Sequence, residues 1–328
     1  MGRCSVIIDP VCAEHENPHH PECNARLLNA CSGVPREIPR LVPAPALFED
    51  VAEVHDRSYL AWLEQRCSAT ASLGWLDSDT YITNTSFQAA LHAAGGAITA
   101  VERSLEGEHS FALVRPPGHH AEFNRAMGFC LMNNVAIAAK KALKKPGTTV
   151  AIVDWDIHHG NGTQDSFYGT DRVLYCSVHQ EHIFPYRGTV DEVGLGQGKG
   201  YTINAPLRSG SAIADYEHVF SEIFVPAIER FSPDIMIVSA GQDILSDDPL
   251  GMMGINPEDF EVLTRMLVHA ARVPLALVLE GGYGPSHGEA VRSIFAALMS
   301  EGQVNSQGSP SGHTKSVVSY LKSEHDLF

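Results

Sequence analysis

The run Val150-Ala151-Ile152-Val153-Asp154-Trp155-Asp156-Ile157-His158-His159-Gly160-Asn161 decides how this chain is read. An apolar stretch of β type, 150–153, closes in carboxylates and imidazoles set in alternation. On extended backbone the side chains at 154, 156 and 158 share one side, so two carboxylates and an imidazole can converge where the strand ends. Asp oxygen and His nitrogen both bind zinc, and a catalytic zinc keeps one position open for water. The competing reading of an isolated Asp-x-His is a loop whose side chains cap the next helix.

Four further apolar runs end in the same manner. Residues 111–114 lead to Arg115, Pro116, Pro117, Gly118, His119 and His120, and 173–175 lead to Cys176, Ser177, Val178 and His179. Residues 235–238 lead to Ser239, Ala240, Gly241, Gln242 and Asp243, and 275–279 to Glu280, Gly281, Gly282 and Tyr283. Segments with apolar positions three and four apart, 86–105, 133–144, 215–230, 258–271 and 287–299, predict helices. A short helix is expected over 25–30; Ser86 and Asp215 suit N-caps, and Pro257 suits a first helical turn. Strands alternating with helices imply right-handed crossovers and an α/β fold with a mostly parallel central sheet flanked by helices. Ligands in such sheets bind past the carboxyl ends of the strands. Five segments carry their chemistry there.

A chain of 328 residues, 44% of them hydrophobic, suffices for one large α/β domain or two smaller ones, but no linker divides it. A single domain over 1–328 is therefore expected, with a flexible Gly-, Ser- and Gln-rich stretch at 302–312 before a short tail. Pro35, Pro39, Pro43 and Pro45 predict an irregular surface segment. Five glycines within 188–200 lack the strand-before, helix-after setting of a nucleotide loop and predict a flexible surface loop beside the site. With 39 acidic against 23 basic residues, the net charge of −16 opposes non-specific binding to nucleic acid or anionic lipid. No membrane-length apolar run and no charged-then-apolar leader is visible, so cytoplasmic residence is the expectation, with neither nucleic acid nor membrane as partner. Seven cysteines, odd in number and without a Cys-x-x-Cys, argue for reduced thiols. Cys12, His15, His19, His20 and Cys23 could be drawn as a second zinc cluster, but their spacing matches no standard finger.

Taken in order, several motifs carry a resemblance: His20-Pro21-Glu22, Arg26-Leu27, Arg115 to His120, Gly128-Phe129-Cys130, Asp154 to Gly162, Asp243 to Gly251 and Gly281-Gly282-Tyr283. Through them the chain resembles, over almost its whole length, the zinc-dependent histone deacetylase family, with its acetylpolyamine amidohydrolases and acetoin-utilisation proteins. Trp155 and Asn161 resemble its class II-like branch. The resemblance implies a three-layer arginase/deacetylase-like fold, with Asp156, His158 and Asp243 as ligands of one zinc and a position left for water and the substrate carbonyl. Ferrous iron suits the same donors.

The resemblance also implies His120 as general base and later acid, His119 as its electrostatic and orienting partner, and Tyr283 as hydroxyl donor to the developing oxyanion. Asp154 would partner His119. Asn161, where many relatives carry Asp, would partner His120; an amide cannot stabilise imidazolium as a carboxylate does, which keeps His120 easier to hold neutral. Phe129 and Phe184 would wall a narrow tunnel for an acyl-lysine stem, with Gly128 and Leu250 beside it. Potassium would bind through Asp154, Asp156, His158, Ser177 and Val178, and a second potassium through Phe167, Val173 and Tyr201. Arginase-like proteins of this fold hold two manganese ions with extra carboxylates at positions that are Gly160 and Leu245 here, so one divalent ion is expected.

The activity so implied is removal of an acetyl or related short acyl group from a lysine side chain of a protein or peptide. An acetylated polyamine, a small acetylated amine, is the alternative substrate; Leu250 stands where polyamine-selective relatives can carry an acidic gatekeeper and so favours a neutral stem. A non-catalytic module that binds acylated ligands is the alternative from another class, and both histidines and Tyr283 speak against it. Asp77 or Asp79 could touch a substrate backbone at the rim, Gln242 stands where relatives often have Phe, and a homo-oligomer is left open.

Overall fold

The computed structural model describes residues 3–300, 302 and 308–325. In chain order its strands are β1 (Cys4–Ile8), β2 (Arg40–Leu41), β3 (Gly74–Trp75), β4 (Tyr81–Ile82), β5 (His109–Leu113), β6 (Val150–Asp154), β7 (Val173–Gln180), β8 (Thr202–Leu207), β9 (Ile235–Ala240) and β10 (Leu275–Leu279). Eight of them form one parallel sheet in the order β2-β1-β5-β10-β9-β6-β7-β8, and β3 and β4 form a small antiparallel pair. The five strands announced by the apolar runs are the five contiguous ones from β5 to β7. Helices cover them, so they are buried throughout apart from His109 and read as near-continuous apolar runs. Because they are neighbours, the segments after their carboxyl ends meet at one edge of the sheet. Register sharpens this: Asp154 lies opposite Ser177 on β7 and Ser239 on β9.

Helices Ser86–Leu105 and His287–Met299 have the expected bounds, and 133–144 is Asn134–Leu143 with Asn133 capping Ala136 N. The expected helix over 215–230 is three consecutive pieces, Ile213–Val219, a π-turn Phe220–Phe224 and Val225–Phe231, which turns both Phe220 and Phe224 into the core. Two expected caps are displaced. Ser86 is the first helical residue, its hydroxyl accepting from Thr83 N, and Asp215 is the third, reaching back to Ala212 N. Pro257 precedes the helix Asp259–Ala271 without entering it.

Of the expected flexible stretch, 303–307 lie outside the described residues. The short tail beyond it is packed: Gly312–Glu324 is a helix that buries Val317, Val318 and Leu321 beside β8. The glycine-rich segment 188–200 is likewise pinned, with Gly188 N and Thr189 N on the Glu192 carboxylate and Gly188 O accepting from His179. The core is continuous across the sheet, with Phe111 against Phe295 and Trp155 edge-on to Phe260; truncating either phenylalanine partner to Ala costs about 3–5 kcal/mol. All seven cysteines are free. Among the described residues no helix is long and apolar enough to cross a membrane.

Candidate active site

Where β6 ends, the chain ties its own alternating side chains in place. Asp156 N donates to Asp154 Oδ1 at 3.1 Å, and His158 N to Asp156 Oδ1 at 2.9 Å. Neighbouring loops complete the frame: Ile157 N donates to Asp243 Oδ1 at 2.9 Å and Gly281 N to Asp156 Oδ2 at 2.8 Å. His158 Nδ1 then faces both carboxylates, 3.3 Å from Asp156 Oδ1 and 3.2 Å from Asp243 Oδ2. One ligand atom from each of the three lies within 4.8 Å of the others. Two carboxylates and an imidazole at this spacing fit a divalent cation with three protein ligands and an open position. The cradle depends on glycine, since a Cβ at Gly281 would stand 2.2 Å from Asp243 Oδ2 and one at Gly241 2.1 Å from Asp156 Oδ2. Neither Gly160 nor Leu245 offers a side-chain ligand: a Cβ at Gly160 would stand 2.3 Å from Asp154 Oδ2, and Leu245 is buried and apolar.

The cluster is electrostatically tense. Burial works to raise both carboxyls; His119 and His158 outweigh it at Asp156 and hold that group well below the carboxylate range, while burial and the Asp156 charge push Asp243 up to about 7. His158 is drawn up to about 9 against its burial by Asp156 and Asp243. A divalent cation among these groups would meet the negative charge they concentrate.

The tandem histidines sit at the start of the loop after β5, and Glu280 anchors that loop by accepting from Gly118 N at 2.7 Å and His119 N at 3.1 Å. His119 Nδ1 lies 3.1 Å from Asp154 Oδ2. Burial opposes its charge, but Asp156 and Asp154 win and push it up to about 10. His120 Nδ1 pairs with Asn161 Oδ1 at 2.8 Å; burial, then His119 and His158, press it well below 6.5.

Above them opens a cavity of about 190 Å³ lined by Phe129, Phe184, Leu250, Tyr283, Gly128, Asp79, both histidines and the three candidate ligands. Gly128 and Phe129 both take positive φ, 56° and 68°, and a Cβ on Gly128 would strike the His120 ring at 2.5 Å. Phe129 pays backbone strain to stand edge-on to Tyr283 at 5.7 Å, and Phe184 meets His120 edge-on at 4.9 Å. Tyr283 is fixed by its N–H on Asp248 Oδ2 at 2.6 Å and by the Arg26 guanidinium 5.1 Å from its ring. Arg26 is held by Glu22, which also accepts from Arg115 Nε at 2.7 Å. Burial would raise Glu22, yet the two arginines hold it at about 2. A larger cleft, about 660 Å³, opens between helices Ser86–Leu105 and Asn134–Leu143, but of its charged residues Glu102, Lys145 and Asp234 are exposed, and Lys141 is taken up by Asp50 at 2.9 Å.

The residues read from the sequence as catalytic, as ligands of the divalent ion or as tunnel walls thus come together, with Asp154 and Asn161 behind the two histidines. Asp79 reaches the cavity; Asp77 instead turns back on Asp79 N and Thr80 N. Gln242 does not shape the pocket: it is buried on Ala240 O and His287. Ser177 and Val178 lie on β7 beside Asp154, Val173 opens that strand, Tyr201 O accepts from Tyr175 N, and Phe167 closes the helix before it. His15 is stacked on Tyr81 at 4.3 Å and bonded to Ser86, a packing role rather than a ligand's. Sequence reading missed Glu280, Asp248, Glu122 and the Glu22-Arg26-Arg115 cluster. Glu280 had a signal as a lone acid ending an apolar run, and Glu22, Arg26, Arg115 and Asp248 stood within the quoted motifs without a role of their own; Glu122 had none.

A parallel sheet with this donor set, paired histidines and a tyrosine at its carboxyl edge defines a hydrolase on an arginase/deacetylase-type scaffold. The chain belongs to the histone deacetylase family: residues 15–298 match the model of the histone deacetylase domain. It is 41% identical over 284 residues to a probable deacetylase of Archaeoglobus fulgidus, covering 82% of this chain and 78% of that protein. It is 35% identical over 323 residues to histone deacetylase 14, chloroplastic, of Arabidopsis thaliana, covering 89% and 76%. Its fold matches the crystal structure of the HDA15 HD domain with a TM-score of 0.92 at 32% identity, over 98% of this chain and 95% of that one. Membership brings deacetylase-type hydrolysis; the family is generally metal-dependent, and Asp156, His158 and Asp243 form a cluster here that could hold an ion.

Proposed function

We propose that the chain is a zinc-dependent deacylase acting on acetyl-lysine, or a related short acyl-lysine, in proteins or peptides. The observation that carries this reading is the donor set Asp156, His158 and Asp243 lying with His119, His120 and Tyr283 around one narrow, aromatic-walled cavity. Those three residues would hold the ion, which when bound supplies Lewis acidity to an amide carbonyl and acidifies a water. His120, neutral at physiological pH, takes a proton and later gives it to the departing amine. His119, kept cationic by Asp154 and Asp156, orients and offsets negative charge. Tyr283 donates its hydroxyl to the carbonyl oxygen as charge develops there. Phe129 and Phe184 flank the methylene stem and exclude water from it.

One potassium ion is proposed at Asp154, Asp156, His158, Ser177 and Val178, supported by the register of Asp154 with Ser177, and a second at Phe167, Val173 and Tyr201. Seven unpaired cysteines suit a reducing compartment such as the cytoplasm. The test is a panel of fluorogenic acyl-lysine peptides and acetylated polyamines offered to zinc-loaded protein, with a chelated control. Cleavage of acetyl-lysine peptides that disappears on chelation is expected. Preference for the polyamines would move the substrate, and binding without cleavage would leave an acyl-binding module.

A further inference from the structure

The side-chain amide of Asn161 has two unlike ends, and the one that faces His120 decides what His120 can do. Oδ1 lies 2.8 Å from His120 Nδ1. Nδ2 lies among acceptors: Glu122 Oε1 at 2.9 Å, the His120 carbonyl at 3.4 Å and Met127 Sδ at 3.6 Å. A carboxylate, a carbonyl and a thioether have no proton to give. Turning the amide over would aim its oxygen at the Glu122 carboxylate and forfeit a charge-assisted hydrogen bond. Glu122 is itself fixed, because its N–H donates to Arg125 O at 2.9 Å and its carbonyl is 2.9 Å from His55 Nδ1. Arg187, held by two bonds to Asp165, lies 3.9 Å from Glu122 Oε1 and offsets its charge.

We infer that Glu122 is a positioning residue: by holding the Asn161 amide in one orientation it fixes His120 as the Nδ1–H tautomer, and it supplies, one amide removed, the negative charge that Asn161 lacks. Nε2 is then the nitrogen with a free lone pair, as a proton acceptor in the cavity needs. Glu122 is absent from the cavity lining, so it acts through Asn161. The inference rests on the base role proposed for His120.

The decisive variant is Glu122→Gln, which keeps shape and hydrogen-bonding reach but lets the Asn161 amide turn. On an acetyl-lysine peptide kcat should fall by about 10–100-fold, with KM and bound metal unchanged within about twofold. Adding Asn161→Asp to Glu122→Gln should recover most of the loss, since a carboxylate accepts from His120 Nδ1 whichever way it lies. In ¹⁵N-histidine NMR, with His120 assigned through His120→Ala, the unaltered protein should show a protonated Nδ1 and Glu122→Gln a mixture of tautomers. Unchanged kcat and tautomer in Glu122→Gln would overturn the inference, as would an equally deep loss in the double variant, the mark of a purely structural residue. A protein that cleaves no acyl-lysine at all defeats the deacylase reading instead, and the NMR arm still decides the role of Glu122.

Discussion

His119 and His120 are consecutive, with ring centroids 4.0 Å apart, yet the molecule treats them as opposites. His119 faces carboxylates, Asp154 at 3.1 Å and Asp156 at 3.7 Å, and is drawn up to about 10. His120 faces an amide, an aromatic ring and the backbone of Gly128, and is pressed well below 6.5. Both are buried, so burial alone would drive both down. The difference is made by what each ring meets: the carboxylates at the end of β6, or the Asn161 amide and the 128–129 turn, which set no carboxylate against the ring. Two copies of one side chain thereby become a fixed cation and a vacant proton acceptor.

The comparison breaks most severely if the carboxylate side is removed. Asp156→Ala or Asp243→Ala should lose the metal and lower turnover by more than about 10³-fold, read by elemental analysis beside the peptide assay. Either variant keeping one metal and full turnover would dissolve the distinction between the two sides. Next come the groups on the other side. His120→Ala and Tyr283→Phe should each lower kcat by about 10²–10⁴-fold while metal stays bound.

The same contrast predicts a pH profile. A base must be deprotonated to act, and because the His120 pKa lies below 6.5 the acid limb of kcat/KM should fall below pH 6.5. Asn161→Asp places a carboxylate on His120, raises its pKa, and should carry that limb to higher pH. Smaller again is Asp154→Asn, which weakens the hold on His119; about 10–100-fold in kcat is expected, with His119 titrating at lower pH in ¹H NMR.

Legibility followed the same division. Asp154, Asp156, His158, Asp243, His119, His120 and Tyr283 stand immediately after apolar runs, so strand periodicity located them, and the contiguity of β5 to β7 gathered them. β8 escaped because Asn204 and Pro206 interrupt its apolar pattern, and β2 because two residues cannot show a period. The helix Gly312–Glu324 was hidden by its weak amphipathicity and by the polar stretch before it, and its start is set by a tertiary contact, Thr314 on Asp215 at 2.6 Å. Glu122, Asp248 and the Glu22-Arg26-Arg115 cluster act through partners far off in sequence, Arg26 reaching Glu280 O across 254 positions. No local spacing encodes such pairs.

The mildest test concerns the rim. Leu250 is 37% exposed at the cavity mouth, and its N–H is pinned to Asp248 Oδ1 at 2.9 Å. Asp248 in turn holds the Tyr283 N–H, so backbone order at 250 and tyrosine position are set by Asp248 and not by the leucine side chain. Leu250→Glu therefore adds a charge without disturbing the chemistry. A carboxylate a few ångströms from the second ammonium of an acetylated polyamine, half in solvent, gains about 1 kcal/mol, or roughly fivefold. The ratio of kcat/KM for acetylpolyamine over acetyl-lysine peptide should rise by that factor at low salt, with kcat nearly unchanged. It should shrink at an ionic strength of about 0.5 M, because exposed charges are screened over a few ångströms there. A rise in ratio that salt leaves untouched would assign the effect to altered shape at the mouth, and an unchanged ratio would move selectivity inward to the aromatic walls that His120 shares.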